Sequence, residues 1–344
     1  MIVMRPVSLN DADQILELIE LASFGLTTLP KDAELMQRRI RESQRGFDKV
    51  EGEPPLGEAF LFVAEDLKTG NVIGTSGMIT KVGGFEPFYA YRIENAVHES
   101  AMLKIRKEVP TLHLVADHDG PCEIGSLFLH PDHRRSGVGR LLSLGRFLFM
   151  AEHPNHFDET VIAEMRGVID QRGRSAFWDA LGKHFFEIDF PKADYLSIVN
   201  KKFIADLMPQ HAIYIPLLPA EAQAVIGQVH ERTRPALRIL EQEGFSSSGM
   251  VDIFEAGPVM TCQRDRIRAV RESFTTAIEQ ITDEAIDSPP HVIARADANF
   301  LACVAPLQIL ASCGLKIQSA TALTLGVRVG DTVRAVAVRA DKSK

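Results

Sequence analysis

Hydrophobic and polar positions in the first half of the chain alternate between the spacing of strands and that of helices. The pattern predicts a strand over 2–4, helices after residue 13 and over 31–43, and a hairpin of strands 59–65 and 72–80. It then predicts strands 112–115, 124–129 and 160–165, with a helix from about 138 to 152 between the last two. This order is typical of a mixed α/β sheet flanked by helices.

The second half of the chain continues this alternation and then changes character. Ser175 is a candidate N-cap for a helix with four apolar residues, Phe177, Trp178, Leu181 and Phe185. The pattern also predicts helices over 232–243, ending at Gly244, and 266–281, a turn over 246–249 and a strand over 251–254. After a Pro-containing linker at 287–290, alternation over 327–338 around Gly330 and Asp331 predicts a hairpin.

These elements divide the chain into three predicted parts. Residues 1–190 form the main domain, residues 191–258 continue it, and residues 259–344 form a helix plus a small β-rich C-terminal region. We expect the segment after residue 283 to serve assembly or stability and to be dispensable for chemistry.

Composition narrows the classes of function. The 344 residues suffice for about two domains, and 38 Lys and Arg against 46 Asp and Glu give a net charge of −8, which argues against nucleic acid as a partner. The four cysteines form no Cys-x-x-Cys pair, so neither a zinc ribbon nor a disulfide framework is indicated, and a reducing cytoplasm fits. The uncharged stretch 299–315 carries Pro306 and Gln308 and does not indicate a membrane helix. We expect a cytoplasmic protein without a membrane span.

The most informative local motif lies between a predicted buried strand and a helix. It reads Arg134-Arg135-Ser136-Gly137-Val138-Gly139. The two glycines let backbone N–H groups approach an anion, the helix N-terminus adds positive potential, and the arginines add charge-assisted hydrogen bonds. No P-loop pattern occurs, and Leu142 and the long loop break the dinucleotide fingerprint. An acyl-CoA pyrophosphate remains as the ligand, with a plain strand-to-helix turn as the alternative.

This motif, R/Q-x-x-G-x-G/A, resembles the coenzyme A loop of GNAT-type N-acyltransferases, and other blocks resemble the arginine N-succinyltransferase family. The blocks occur in order from the N-terminus to about residue 258: GLTTLP at 25–30, AEMRG at 163–167, FW, LG and FF within 177–186, FIADLMP at 203–209, IGQVH at 226–230 and VDIF at 251–254. Two departures stand out: Gly125-Ser126 where the family usually has Cys-Ser/Thr, and Glu255 where it usually has Asp.

The resemblance implies a GNAT-like, mostly antiparallel sheet in residues 1–190, whose strand before the loop splays from its neighbour and binds pantetheine. It implies transfer of a succinyl group from succinyl-CoA to the α-amine of arginine or ornithine, in a homo-oligomer or with a paralogous subunit. His230 is the implied catalytic proton donor. The implied succinyl-CoA contacts are Leu127, Leu129, Arg134, Arg135, Gly137, Val138 and Gly139.

The succinyl carboxylate and the α-carboxylate of the acceptor both call for cations, and the guanidinium of arginine calls for carboxylates. We predict Arg92 and Arg166 for the first role and Asp117 and Glu164 for the second, with solvated charges or structural ion pairs as the alternative for each. Histidines and acids between 113 and 133 match no metal-ligand spacing, so no metal is predicted.

Two functions therefore remain open. The first is an active succinyl-CoA-dependent N-acyltransferase. The second is a catalytically silent acyl-CoA-binding subunit that supports a paralogous partner. From the residues alone, His230 is either a titratable group that moves protons near neutral pH or a histidine that caps a helix at the surface.

Overall fold

The computed structural model describes residues 1–22, 28–48, 54–134, 137–199, 202–295 and 300–339. The strands are β1 (Ile2–Pro6), β2 (Ala59–Asp66), β3 (Asn71–Ile79), β4 (Gly83–Ser100), β5 (Ile105–Asp119), β6 (Cys122–Leu129), β7 (Thr160–Glu164), β8 (Ile213–Tyr214), β9 (Ser246–Val251), β10 (Pro258–Gln263), β11 (Phe274–Thr282), β12 (Pro290–Arg295), β13 (Ala302–Ile309), β14 (Leu315–Gln318) and β15 (Thr332–Ala337). The helices are α1 (Ala12–Glu20), α2 (Ala33–Phe47), α3 (Val138–Glu152), α4 (Ala176–Ala180), α5 (Lys183–Phe186), α6 (Phe190–Val199), α7 (Lys202–Leu207), α8 (Ala220–Val225), α9 (Arg234–Gln242), α10 (Arg268–Glu272) and α11 (Ser319–Leu325).

The strands of the described residues join into one sheet in the order β12-β15-β11-β14-β13-β1-β2-β3-β6-β7-β10-β9-β4-β5-β8. Two of its pairs, β6 with β7 and β11 with β14, are parallel, and the other pairs are antiparallel. The predicted fold class, a mixed and mostly antiparallel sheet flanked by helices, is confirmed. The sheet runs continuously across the boundaries predicted near residues 190 and 258.

Side-chain alternation along β2 explains how helices cover both faces of the sheet. Phe60 and Phe62 point to one face and pack in the same core as α3, whereas Leu61 and Val63 point to the other and pack with α1 and α2. All four side chains are buried. Because successive residues of a strand point to opposite faces, a continuous apolar run is what a strand covered on both sides requires.

Two neighbouring strands separate at the centre of the sheet. β6 pairs with β3 almost along its whole length, but it pairs with β7 only at Cys122 and Glu123. Beyond Glu123 no strand of the described chain occupies that edge of β6. This is the splay that the resemblance to the GNAT fold predicts.

The predicted β-rich C-terminal region is confirmed, and it shares a sheet and a core with the rest of the chain. Because β12 pairs with both β15 and β13, five strands (β11 to β15) close into a small barrel, and β13 continues the main sheet through β1. Val292, Ala302 and Val336 belong to the same buried core as α3. The region is therefore part of the main core.

Several predicted elements shift for identifiable reasons. The prediction of a helix over 266–281 is wrong after residue 272, because strand β11 begins at Phe274. Phe274, Ile278 and Ile281 have the spacing of a helix. The β-branched residues of this segment favour a strand, which pairs with β14 and β15. The turn over 246–249 is strand β9, and the turn lies after Val251 instead. The helix over 138–152 has the predicted bounds.

The long hairpin of β4 and β5 was predicted only at residues 112–115. The N-cap at Ser175 is confirmed, since its Oγ accepts the N–H of Trp178 at 3.1 Å; Phe177 and Trp178 are buried, but Phe185 is exposed. Within the part of the chain that the structure describes, no helix is long and apolar enough to cross a bilayer.

Candidate active site

A cleft of about 1700 Å³ opens where β6 and β7 separate. Its walls come from the second half of β6, the segment Ala163 to Arg166 at the end of β7, and the first turn of α3. Residues of α2, of α9 and of the C-terminal barrel complete the lining. The splay thus creates a space that reaches from the surface of the protein into the centre of the sheet.

The glycine turn at the mouth of this cleft begins α3. Gly137 is the N-cap of the helix with φ of +88°, a left-handed conformation that glycine adopts without strain. Both Gly137 and Gly139 line the cleft, and an added Cβ at either would meet no atom within 4 Å. The first N–H groups of a helix have no partner within the helix. The turn therefore offers an open, positively polarised site for an anion.

The flanking residues of the motif divide between this site and the core. Arg134 is exposed and lines the cleft, with its Nε 3.4 Å from the carbonyl oxygen of Leu129 and its guanidinium 6.0 Å from the ring centre of Phe128. Val138 buries its side chain in the core, so only its backbone is left for a ligand. Arg135 lies outside the described residues.

Leu127 and Leu129 are half-buried and line the cleft on the free edge of β6. A bulge precedes them, since the register between β3 and β6 shifts and Ser126 has φ of +50°. The Oγ1 of Thr75 donates to the carbonyl oxygen of Ser126 at 2.8 Å and holds the bulge. An extended chain with amide groups can therefore lie along this edge as a strand would.

His230 is half-buried beside the cleft, next to the lining residues Arg232 and Thr233. Its N–H donates to the carbonyl oxygen of Arg166 at 2.8 Å, and its Nδ1 accepts the N–H of Arg232 at 3.1 Å. Nε2 is thus the nitrogen left for a substrate, and in the neutral ring it carries the proton. Burial and the charges of Arg166 and Arg232 lower the pKa of His230 below its usual value. His230 therefore caps the turn that follows it and also lies beside the cleft.

The segment that follows β7 passes very close to the turn before β10, which places Arg166 next to the acidic residues of that turn. An added Cβ at Gly167 would lie 2.3 Å from the carbonyl oxygen of Glu255, and one at Gly257 would lie 1.9 Å from that of Met165. Only glycine therefore permits the segment after β7 to pass the turn before β10. The buried Nε of Arg166 has no hydrogen-bond partner.

Three carboxyl groups of the cleft, Asp194, Asp252 and Glu255, influence one another and Arg166 electrostatically. Glu255 is 8% exposed; its Oε1 accepts the N–H of Gly167 at 2.8 Å, and its Oε2 is buried without a partner. Burial and Asp252 raise the pKa of Glu255 well above its usual value and that of Asp194 to about 7. Asp194 and Asp252 were missed by the sequence analysis, because no local spacing marks them.

The structure brings together only some of the predicted acceptor residues. Glu164 and Arg166 both line the cleft. Arg92 is exposed on β4, 3.7 Å from Glu94, and Asp117 on β5 accepts the N–H of Asp119 at 2.9 Å. Neither Arg92 nor Asp117 is among the described residues of the cleft lining. Across the described ranges, no three His, Cys, Asp or Glu side chains group as metal ligands.

The splayed sheet, the open glycine turn at the start of α3 and the histidine beside the cleft indicate an enzyme of the acyl-CoA-dependent N-acyltransferase class. A family model described as arginine N-succinyltransferase beta subunit matches residues 2–269. The chain is 43% identical to arginine N-succinyltransferase subunit beta of Pseudomonas aeruginosa, over 99% of both chains. It is 41% identical to arginine N-succinyltransferase of Yersinia pseudotuberculosis, over 100% of both.

A solved structure agrees with the sequence relatives. Arginine/ornithine succinyltransferase subunit AI from Pseudomonas aeruginosa superposes with a TM-score of 0.90 at 33% identity and covers 99% of both chains. The chain belongs to the arginine N-succinyltransferase family. The similarity includes the segment after residue 258, where the blocks quoted above end.

Proposed function

We propose that this chain transfers the succinyl group of succinyl-CoA to the α-amine of arginine and releases CoA. The observation that carries the proposal is one cleft that joins an anion-binding glycine turn, a free strand edge, a histidine beside its wall and a cluster of carboxylates. The first two features fit the pyrophosphate and the amide-containing arm of an acyl-CoA. The carboxylates fit a cationic acceptor.

The reaction needs few groups. The amine nitrogen attacks the thioester carbonyl, the C–S bond breaks, an amide forms, and one proton is lost from nitrogen while one arrives on sulfur. His230 acts late: its protonated ring donates the Nε2 proton to the departing sulfur or to the collapsing tetrahedral intermediate, and the proton released by the attacking nitrogen restores the ring. Free backbone N–H groups of β6 near the bulge at Ser126 stabilise the oxyanion.

The acceptor binds around Arg166. The cluster contains three carboxyl groups and one arginine, so it can accept a further cation. A guanidinium suits this site because it makes paired hydrogen bonds with carboxylates. Asp194 and Glu255 hold the guanidinium of arginine, and the unpartnered Nε of Arg166 is available to its α-carboxylate. Glu164 at the end of β7 lines the same space. Arg92 and Asp117 stay predictions that no cleft contact supports.

Assembly into a homo-oligomer or with a paralogous subunit belongs to the same proposal, as does a cytoplasmic location. The tip of the long β4–β5 hairpin supports assembly, because it exposes four apolar side chains: Val97, Met102, Leu103 and Ile105. Met102 is 88% exposed. Apolar groups concentrated at one protruding tip are typical of an interaction surface. Light scattering on the wild type and on Met102→Glu tests this role, and a mass unchanged by the substitution argues against it.

One assay separates the active enzyme from the silent subunit. The purified chain alone is given succinyl-CoA with arginine, ornithine or lysine, and free CoA is measured. We expect turnover that is fastest with arginine. CoA binding without turnover by any acceptor would instead support the silent acyl-CoA-binding subunit.

A further inference from the structure

Two arginines lie where the cleft enters the sheet, and neither was singled out from the sequence. Arg146 of α3 is 2% exposed, lines the cleft, and has a buried Nε without a hydrogen-bond partner. Its other nitrogens make only long contacts, 3.4 Å to the carbonyl oxygen of Gly125 and 3.5 Å to Oγ of Ser143. Within the described ranges no carboxylate forms an ion pair with it.

Arg39 of α2 lies on another wall of the cleft, and its hydrogen-bond donors are also incompletely satisfied. It lines the cleft, and its buried Nε has no hydrogen-bond partner. The acids that act on it electrostatically are Glu42, which also pairs with Arg38 at 3.0 Å, and Glu123. Neither carboxylate is among the groups that act electrostatically on Arg146, so within the described residues the charge of Arg146 is not balanced by an acid.

An unpaired buried cation of this kind is costly for the fold alone. An apolar side chain of similar volume is usually at least as stable in a core as a buried charge. Burial is the main reason that the pKa of Arg146 is lowered to about 10. A ligand that brings one carboxylate would satisfy its unpaired N–H group and balance the charge.

The positions along the cleft agree with the length of an acyl-CoA. Arg146 lies nine residues after Gly137 in α3, about 14 Å along the helix axis. Gly125 lies four residues before Leu129 in β6, about 13 Å along the strand. The pantetheine arm has about as many main-chain atoms as a four-residue peptide and spans about 14 Å when extended. With the pyrophosphate at the glycine turn, the acyl chain reaches the level of Arg146.

We propose that Arg146 binds the terminal carboxylate of the acyl chain and makes the enzyme selective for dicarboxylic acyl-CoA donors. This inference rests on the proposed function and adds the residue that distinguishes succinyl-CoA from a donor of equal length without the charge. Arg146 offers a planar fork to the carboxylate.

The test compares succinyl-CoA with butyryl-CoA, which has the same chain length and no terminal charge. Wild type, Arg146→Met, Arg146→Lys and Arg39→Met are assayed with arginine as acceptor, and binding of free CoA is measured by calorimetry. Arg146→Met should lower kcat/KM for succinyl-CoA by about 10²-fold, the usual effect of removing one partner of a buried charged pair. It should leave butyryl-CoA turnover and CoA binding within a few-fold. Arg39→Met should keep most of the selectivity, because Arg39 interacts with Glu42 and Glu123.

Arg38→Met is the matched control, because Arg38 lines the same cleft but already has a carboxylate partner. It should keep the wild-type ratio of the two donors. An unchanged ratio in Arg146→Met, or an equal loss of both donors, overturns the inference. If Arg146→Met does not fold, Arg146→Lys decides: retained selectivity with a lower kcat/KM for succinyl-CoA alone supports the inference, and an unaltered kcat/KM overturns it. A wild type that makes no succinyl product refutes the proposed function itself.

Discussion

The backbone N–H of His230 donates to the carbonyl oxygen of Arg166 at 2.8 Å, so the loop before α9 is bound to the segment that follows β7. Both partners are main-chain groups, and the bond persists when either side chain is changed. The histidine ring and the carboxylate cluster around Arg166 are therefore positioned by the same contact, although the proposed mechanism gives their side chains different steps. Substitutions at the two positions should have separable kinetic effects.

His230→Ala should lower kcat by about 10²- to 10⁴-fold, the usual contribution of one general acid or base, with KM for both substrates within a few-fold. His230→Gln should not restore the rate, because an amide does not transfer the proton. Steady-state kinetics beside a thermal melt checks this. His184→Ala, at an exposed position of α5, is the control. A folded His230→Ala enzyme with wild-type kcat, or a chain that fails to fold, contradicts the assignment.

The pH dependence of kcat/KM should reflect the lowered pKa of His230. Burial and the charges of Arg166 and Arg232 favour the neutral ring, in which Nδ1 accepts the N–H of Arg232. A proton donor acts in its protonated form, so activity should fall as pH rises through the pKa of His230, with a midpoint below pH 6.5. Arg232→Gln removes one repelling charge and should move the midpoint upward. A midpoint that stays in place in Arg232→Gln argues that another group titrates.

The sequence predicts elements well where local signals and packing agree. In α3, a glycine turn marks the first residue and apolar positions continue through Glu152, so both bounds were correct. In β11, the apolar spacing fits a helix, and only pairing with β14 and β15 decides for a strand. Such pairing joins residues distant in sequence, which local periodicity does not report.

Gly137→Asp should raise KM for succinyl-CoA by roughly tenfold or more, because a carboxylate would face the phosphate site. The substitution also places a Cβ at φ of +88°, which costs about 1–2 kcal/mol. Two controls separate charge from strain. Gly137→Asn tolerates the left-handed conformation without the charge and should have a smaller effect, and Gly70→Asp in the β2–β3 turn, at φ of +72°, should leave KM unchanged. An unaltered KM in Gly137→Asp would place the CoA phosphates elsewhere.

A chain that ends after Asp283 should not fold to a CoA-binding protein. The truncation removes β12 to β15, including the strand that pairs with β1, and takes Val292, Ala302 and Val336 out of the core that they share with α3. Each buried apolar side chain that loses its cover costs about 1.5–3 kcal/mol, so the losses approach the whole stability of a domain. Calorimetric melting and CoA titration of the truncated chain check this. A cooperative melt with wild-type CoA affinity would restore the view that the segment is dispensable.

The site was predictable from sequence only where its residues adjoin in the chain. The motif around Gly137 carries its own chemistry, and His230 was found through a family block. Asp194 on α6 and Asp252 before β10 come from segments distant in sequence, and Arg146 lies within an apolar helix. Neither arrangement leaves a spacing that can be read along the chain.

The KM for arginine should depend on the ionisation of Asp194, whose pKa is raised to about 7 mainly by burial and also by Asp252. Below pH 7 the carboxyl group is protonated and attracts a guanidinium less, so KM for arginine should rise by about tenfold between pH 8 and pH 6. Asp194→Asn should give a high KM that changes little with pH. Asp189→Asn, whose carboxylate pairs with exposed Lys183 at 2.7 Å, is the control and should behave as wild type.

Stability provides a second measurement of the same group. Because the folded-state pKa of Asp194 lies above the unfolded value near 3.8, the folded protein binds more protons between these values, and this contribution is lost as pH rises from about 4 through 7. Because arginine should bind more tightly when Asp194 is ionised, it should raise Tm more at pH 8 than at pH 6 in the wild type. In Asp194→Asn the two Tm shifts should be nearly equal. Equal shifts in the wild type, or a KM for arginine in Asp194→Asn that still follows pH, would remove Asp194 from acceptor recognition.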